Sequence, residues 1–105
     1  MASLWFNTGT TIIFDVYHPL ARFKAVMAER MQSVGFAGLV VDDFQVAGGR
    51  DGGWTAMHPV WRRDLEGGRQ EFVFVVMCAA DSEDVAARNA GDVNAMIGWT
   101  DALWP

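Results

Sequence analysis

The sequence predicts an α+β domain in which an antiparallel or mixed sheet of four to five strands is covered by two helices. Three observations carry this expectation. The nine residues Phe72 to Ala80 have no polar side chain and are rich in β-branched and aromatic types, so they read as a strand near the middle of a sheet with both faces in need of cover. The run ends at Asp81-Ser82-Glu83-Asp84, a cap followed by acids at the positive end of a helix dipole. Between Pro19 and Gly35 the apolar residues Leu20, Phe23, Met27, Met31 and Val34 recur at helical spacing.

Taken in order, Leu4-Trp5-Phe6 and Thr11 to Tyr17 read as two strands joined by a hairpin at Asn7-Thr8-Gly9-Thr10, where Asn and Gly tolerate positive φ. Ile12, Phe14 and Val16 share one face, while Ile13, Asp15 and Tyr17 share a half-exposed one. Pro19 opens the first helix, since its missing amide is unneeded there, and Gly35 closes it with Phe36 folding back on the last turn. Leu39-Val40-Val41 and Phe44 to Ala47 suggest a third strand broken by a bulge or turn at Asp42-Asp43.

Four glycines between Gly48 and Gly53 predict a flexible hairpin loop. Pro59 cannot donate to a ladder, so Trp54 to Leu65 is an edge strand or two short pieces. After the turn at Glu66 to Arg69 comes the apolar strand. In the final segment Val85, Val93, Met96 and Ile97 form one face, and Asn89, Gly91 and Asn94 suggest two short helices rather than one. The tail after Trp99 is apolar enough to dock.

With 105 residues the chain reads as a single domain, 1–105, with one core. A net charge of -5 with no basic patch argues against direct nucleic-acid binding, and the scattered acids do not form a DNA-mimicking block. Cys78 is the only cysteine, which excludes an intramolecular disulfide, and its apolar neighbours make it a core residue. With no signal-peptide pattern and no apolar stretch of spanning length, the expectation is a soluble intracellular protein, cytoplasmic or virion-associated, that does not contact a membrane. Hydrophobic residues make up 51% against 20% charged, and five tryptophans accompany them, which points to self-association or to other protein partners.

The chemical candidates are few. Asp15, Tyr17 and His18 cluster where a strand meets a helix, a possible acid–base set to which His58 can be added. With Asp42 and Asp43 the two histidines could supply metal ligands, but zinc spacings are absent; no metal and no cofactor is expected. The Gly48–Gly53 loop with Arg50 lacks the Gly-Lys-Ser/Thr of a phosphate-binding loop, and no Ser or Cys stands in a nucleophile elbow. Asp64, Glu66 and Glu71 alternate with Arg62, Arg63 and Arg69 as a charge-paired rim. The expected interface residues are Arg50, Trp54, Trp61, Trp99 and Trp104, with no residue catalytic.

From Pro19 to Trp99 the element order resembles that of phage tail-terminator and tail-completion proteins, in which a helix, a hairpin with a long loop and a strand-then-helix unit build a small ring-forming subunit. The likeness rests on order alone. An extra hairpin before the helix and the lack of a strand after the last helix depart from it. It implies a non-enzymatic, homo-oligomeric assembly or interaction subunit. One alternative is a cofactor-independent small enzyme or ligand-binding domain of dimeric ferredoxin-like type, similar in size to antibiotic-biosynthesis monooxygenases, with Asp15, Tyr17, His18 and His58 lining its pocket. Another is an intracellular inhibitor or immunity-type binding protein.

Overall fold

The computed structural model describes residues 3–7 and 9–102, with side chains placed for 4, 5 and 9–98. The elements are β1 (Ser3–Asn7), β2 (Thr11–Phe14), α1 (Leu20–Ser33), β3 (Ala37–Val41), β4 (Val46–Arg50), β5 (Gly53–Asp64), β6 (Gln70–Ala80) and α2 (Glu83–Ala102). The fold is α+β, and its six-stranded sheet is antiparallel and slightly larger than expected. Strand order is β1-β6-β5-β4-β3, with β2 also on β6.

The predicted first hairpin is not formed. β1 pairs with β6 from Ser3↔Ala80 to Asn7↔Val76, and β2 continues along the same strand from Thr11↔Val73 to Phe14↔Gln70. The long β6 offers enough ladder for both, so the break between them lets the chain step along β6 instead of turning back. Gly9 sits in that break against the Phe74 carbonyl, a position that a Cβ would overlap. β2 also ends at Phe14, which leaves Asp15 to Tyr17 in the loop before α1.

Both helices lie on one face of the sheet. α2 packs over β1, β6 and β5, and α1 over β3, β4 and α2. Along β6 burial alternates, with Phe72, Phe74, Val76, Cys78 and Ala80 turned into the core. Phe14, Phe23, Phe72 and Phe74 meet there with ring centroids 5.1–6.1 Å apart, several of them edge to face. Cys78 is buried as expected and accepts a hydrogen bond from the Thr55 hydroxyl at 3.1 Å.

Pro19 lies one residue before α1, and the helix ends as its sequence predicts. Phe36 N–H donates to Met31 C=O and Gly35 N–H to Gln32 C=O, while Gly35 takes a φ of 99°. These two bonds cap carbonyls that the helix leaves open, and they bring buried Phe36 back onto Met31.

Two glycine and proline expectations need correction. Gly48, Gly49 and Arg50 are strand residues, and the loop shrinks to Asp51-Gly52, with φ of 53° and 82° between the paired Arg50 and Gly53. Asp-Gly meets the positive φ that a two-residue hairpin needs at both central positions. β5 is one continuous strand rather than two pieces; it lies between β4 and β6 from Gly53 to Met57 and forms the sheet edge beyond that, where Pro59 falls. It tolerates Pro59 because β4 reaches only as far as Met57, and a register shift between Pro59 and Trp61 absorbs Val60.

α2 is also a single helix. Ser82 Oγ accepts from the Asp84 amide at 3.2 Å, as an N-cap should. Two of the three residues that suggested a break are held by tertiary partners, and Gly91 is accommodated without one. Asn89, fully buried, donates to Arg50 C=O at 2.9 Å and accepts from Arg50 Nε at 3.0 Å, and Asn94 accepts from Thr10. Asp92 pairs with Arg50.

Candidate functional site

The second face of the sheet is the main surface feature. In an antiparallel ladder directly paired residues share a face, so the register places Val73, Val75, Met77 and Ala79 of β6 beside Trp54, Ala56, His58 and Trp61 of β5. Leu4 and Ile13 extend this face on one side and Val40 on the other, while Ala47 and Ala56, on the same face, are buried. Among the described residues no helix covers it. Trp54 is 44% exposed and Trp61 48%. Its one charged pair, Arg63 with Glu71 at 3.1 Å, stands at the far end.

β6 was expected to be covered on both faces, and the chain itself covers one. From Glu71 to Ala79 the uncovered face runs about 27 Å, and four strand positions make it about 15–20 Å wide. That is on the order of 500 Å² in plan, of which the uncharged part from Val73 to Ala79 falls within the ordinary range for the largest apolar patch on a monomer.

The five expected interface residues separate. Trp54 and Trp61 lie on this face. Arg50 does not: its side chain points to the helix side, where Phe36 stacks 4.5 Å from the guanidinium and Asn89 and Asp92 bind it. It ties the β4–β5 turn to α2, a role reinforced by Arg88 on Asp51 at 2.8 Å. The side chain of Trp99, and Trp104 altogether, lie outside the described residues.

The suggested acid–base set also divides. His58 is on the uncovered face opposite Val75, while Asp15 follows Phe14, which is opposite Gln70. Five residues of β6, about 17 Å, separate the two registers. Asp42 and Asp43 sit in the β3–β4 turn, and among the described residues no three His, Cys, Asp or Glu side chains come together as metal ligands.

Asp15 is a turn former. Its Oδ1 accepts from the amides of Tyr17 at 2.8 Å and His18 at 2.9 Å, and the His18 ring lies 3.4 Å away. The Tyr17 amide above all holds the carboxyl below its ordinary value of 3.8; desolvation opposes it, and the His18 amide and the nearby His18 ring add to the lowering. A depressed folded-state pKa means the turn is at full strength above the unfolded value and weakens as pH falls through the folded one. On acidification the Tyr17 and His18 amide chemical shifts should therefore report a transition whose midpoint lies below 3.8. Asp15→Asn, whose oxygen accepts at any pH, should abolish the transition, and a parent midpoint above 3.8 would contradict this role for Asp15.

Lys24 is the residue that sequence reading missed. It is the only lysine, 5% exposed, and its Nζ donates to the Asp42 carbonyl at 2.8 Å. Asp42 Oδ1 in turn accepts from the amides of Phe44 and Gln45, which closes the β3–β4 turn. Desolvation lowers the ammonium pKa, with Asp42 and Asp43 opposing it. Leu20, Val41 and these acids line a cavity of about 330 Å³ beside it. The signal was available: 24 follows 20 by one helical turn and precedes 27 and 31 on the same stripe. Because a buried charge is costly even when bonded, Lys24→Met should unfold at or above the parent's temperature, and a fall of several degrees would show that the ammonium is a net stabiliser.

Compared with protein-family models, curated proteins and solved structures, the chain matches none. Among the described residues no helix is long and apolar enough to cross a membrane.

Proposed function

We propose that the chain is a non-enzymatic assembly or interaction subunit that forms a homo-oligomer by burying the uncovered face of its sheet against a second copy. The observation that carries this reading is the uncharged stretch of that face between the Arg63–Glu71 pair and the Leu4 end, with Trp54 and Trp61 half exposed on it. Two such faces stacked about 10 Å apart would remove on the order of 1,000 Å² from water before side-chain relief is counted, the scale of a specific interface. A virion component such as a phage tail subunit is the finer form of the proposal. Its support is the succession of α1, strand hairpins and α2; the two-residue β4–β5 turn is shorter than the long hairpin loop of the tail-terminator likeness.

A second reading draws on His58. It is the one titratable side chain among the described residues in the middle of that face, where a dimer would enclose it. The chain would then be a ligand-binding or cofactor-independent enzymatic domain of dimeric type.

Native mass spectrometry separates the two. Assembly predicts a multiple of the 11.6 kDa chain with no retained small molecule. A retained ligand that His58→Ala releases would favour the second reading. A chain that is monomeric at all concentrations would overturn both.

A further inference from the structure

We propose that the subunit carries a second self-contact, at the end of the molecule where β2 meets α1, in which Tyr17 of each copy seats in a groove of the other about a two-fold axis. This extends the assembly proposed above and rests on that reading. The groove, about 470 Å³, lies between α1, the β3–β4 turn and the far part of β5–β6. Leu20, Phe44, Val60, Trp61 and Phe72 line it. Phe72 and Leu20 belong to the helix side of the sheet, so the groove is separate from the uncovered face, and only Trp61 borders both.

The knob stands beside the groove. Val16 and Tyr17 are 76% and 78% exposed, just before Leu20 in the chain, and Phe44 on the groove wall is 74% exposed. A two-fold contact needs this adjacency, because one patch must present both the protrusion and its receptor. The Asp15 turn already holds the knob, through the two amide bonds at 2.8 and 2.9 Å, which lowers the ordering cost of docking.

Charge points to the same occupant. Asp43 lines the groove from the turn and Arg62 from β5, and Arg62 is otherwise only 3.8 Å from the exposed Asp64. When a copy of this chain approaches about a two-fold axis, the acidic wall of each faces the basic wall of the other. An apolar partner without that pattern would gain nothing from it. With one self-contact on the sheet face and another at this end, dimers join into tetramers or longer assemblies.

Sedimentation velocity at rising concentration tests this. The parent should pass beyond a dimer. Tyr17→Asp, Asp43→Arg and Arg62→Asp should each weaken that later step at least tenfold, and the double variant Asp43→Arg with Arg62→Asp should restore it by exchanging the walls. A parent that stops at a dimer dissociated by Val75→Glu, on the sheet face, but not by Tyr17→Asp would overturn the end contact and leave the face contact standing. A dimer lost with Tyr17→Asp but not with Val75→Glu would support the end contact and overturn the face contact. Failure of the double variant to recover would remove the paired-wall arrangement, and a monomeric parent would remove both contacts.

Discussion

Phe74→Ala should cost about 3–5 kcal/mol, the largest loss expected from any single truncation in this core. Phe74 is fully buried at the centre of β6, and its ring meets those of Phe14, Phe23 and Phe72 with centroids 6.0, 5.1 and 6.1 Å away. Removing it opens a cavity where strand order, α1 and β2 all converge, so surrounding groups cannot close the gap without shifting several elements. In a domain of this size each kcal/mol moves the unfolding midpoint by about 4–8 °C, so the variant should melt more than about 10 °C below the parent. Phe74→Leu, which keeps most of the volume, should fold and lose a smaller part of that stability, so the cost remains measurable if the alanine variant fails to fold. A Phe74→Ala protein within about 2 °C of the parent would mean that the aromatic cluster is not the stabilising centre of the fold.

Val75→Glu should have the opposite profile, with little effect on the fold and a large one on association. Val75 is the neighbour of Phe74 on β6, yet it faces the uncovered side opposite His58, away from the nearest charged pair at Arg63 and Glu71. On a monomer the carboxylate stays in water. In a face-to-face assembly it would be buried among apolar groups with only the His58 ring beside it, a penalty of about 3 kcal/mol, which corresponds to roughly a 100-fold weaker dissociation constant. Far-UV circular dichroism should be unchanged. An equally tight oligomer would place the contact elsewhere.

Sequence reading found the elements whose evidence is local. Gly35 followed by Phe36 fixes the end of α1 because both capping bonds form within six residues of the helix. Ser82 and the acids after it mark the start of α2 for the same reason. Where the deciding partner is distant, local chemistry misleads. Asn7 to Thr10 has turn residues, but whether it turns back or runs on depends on the length of β6, more than sixty residues away. Asn89 and Asn94 weaken an isolated helix and are secured here by Arg50 and Thr10. The glycine-rich segment was mistaken for a loop because four glycines suggest freedom, whereas Gly49 lies against the Trp54 ring and Gly53 against Asn89 and Ala80.

The candidate surface was partly visible in the sequence as an excess of apolar residues and tryptophans. Which of them were exposed was not, because alternation along Phe72 to Ala80 is hidden when both faces are apolar. Only the placement of both helices on one side shows that Val73, Val75 and Met77 are left without cover from the described chain. Asp15 and His18 were grouped correctly as neighbours. Their arrangement shapes a turn that presents Tyr17, and the chemistry suggested for them loses His58 to another part of the molecule.

Sedimentation equilibrium of the parent beside Val75→Glu, from about 1 to 100 μM, tests the central claim most directly, since this range spans weak and tight self-association. The account predicts that the parent is heavier than 11.6 kDa and grows with concentration, while Val75→Glu stays dissociated until far higher concentration. Identical masses for the two proteins throughout that range would contradict burial of the sheet face.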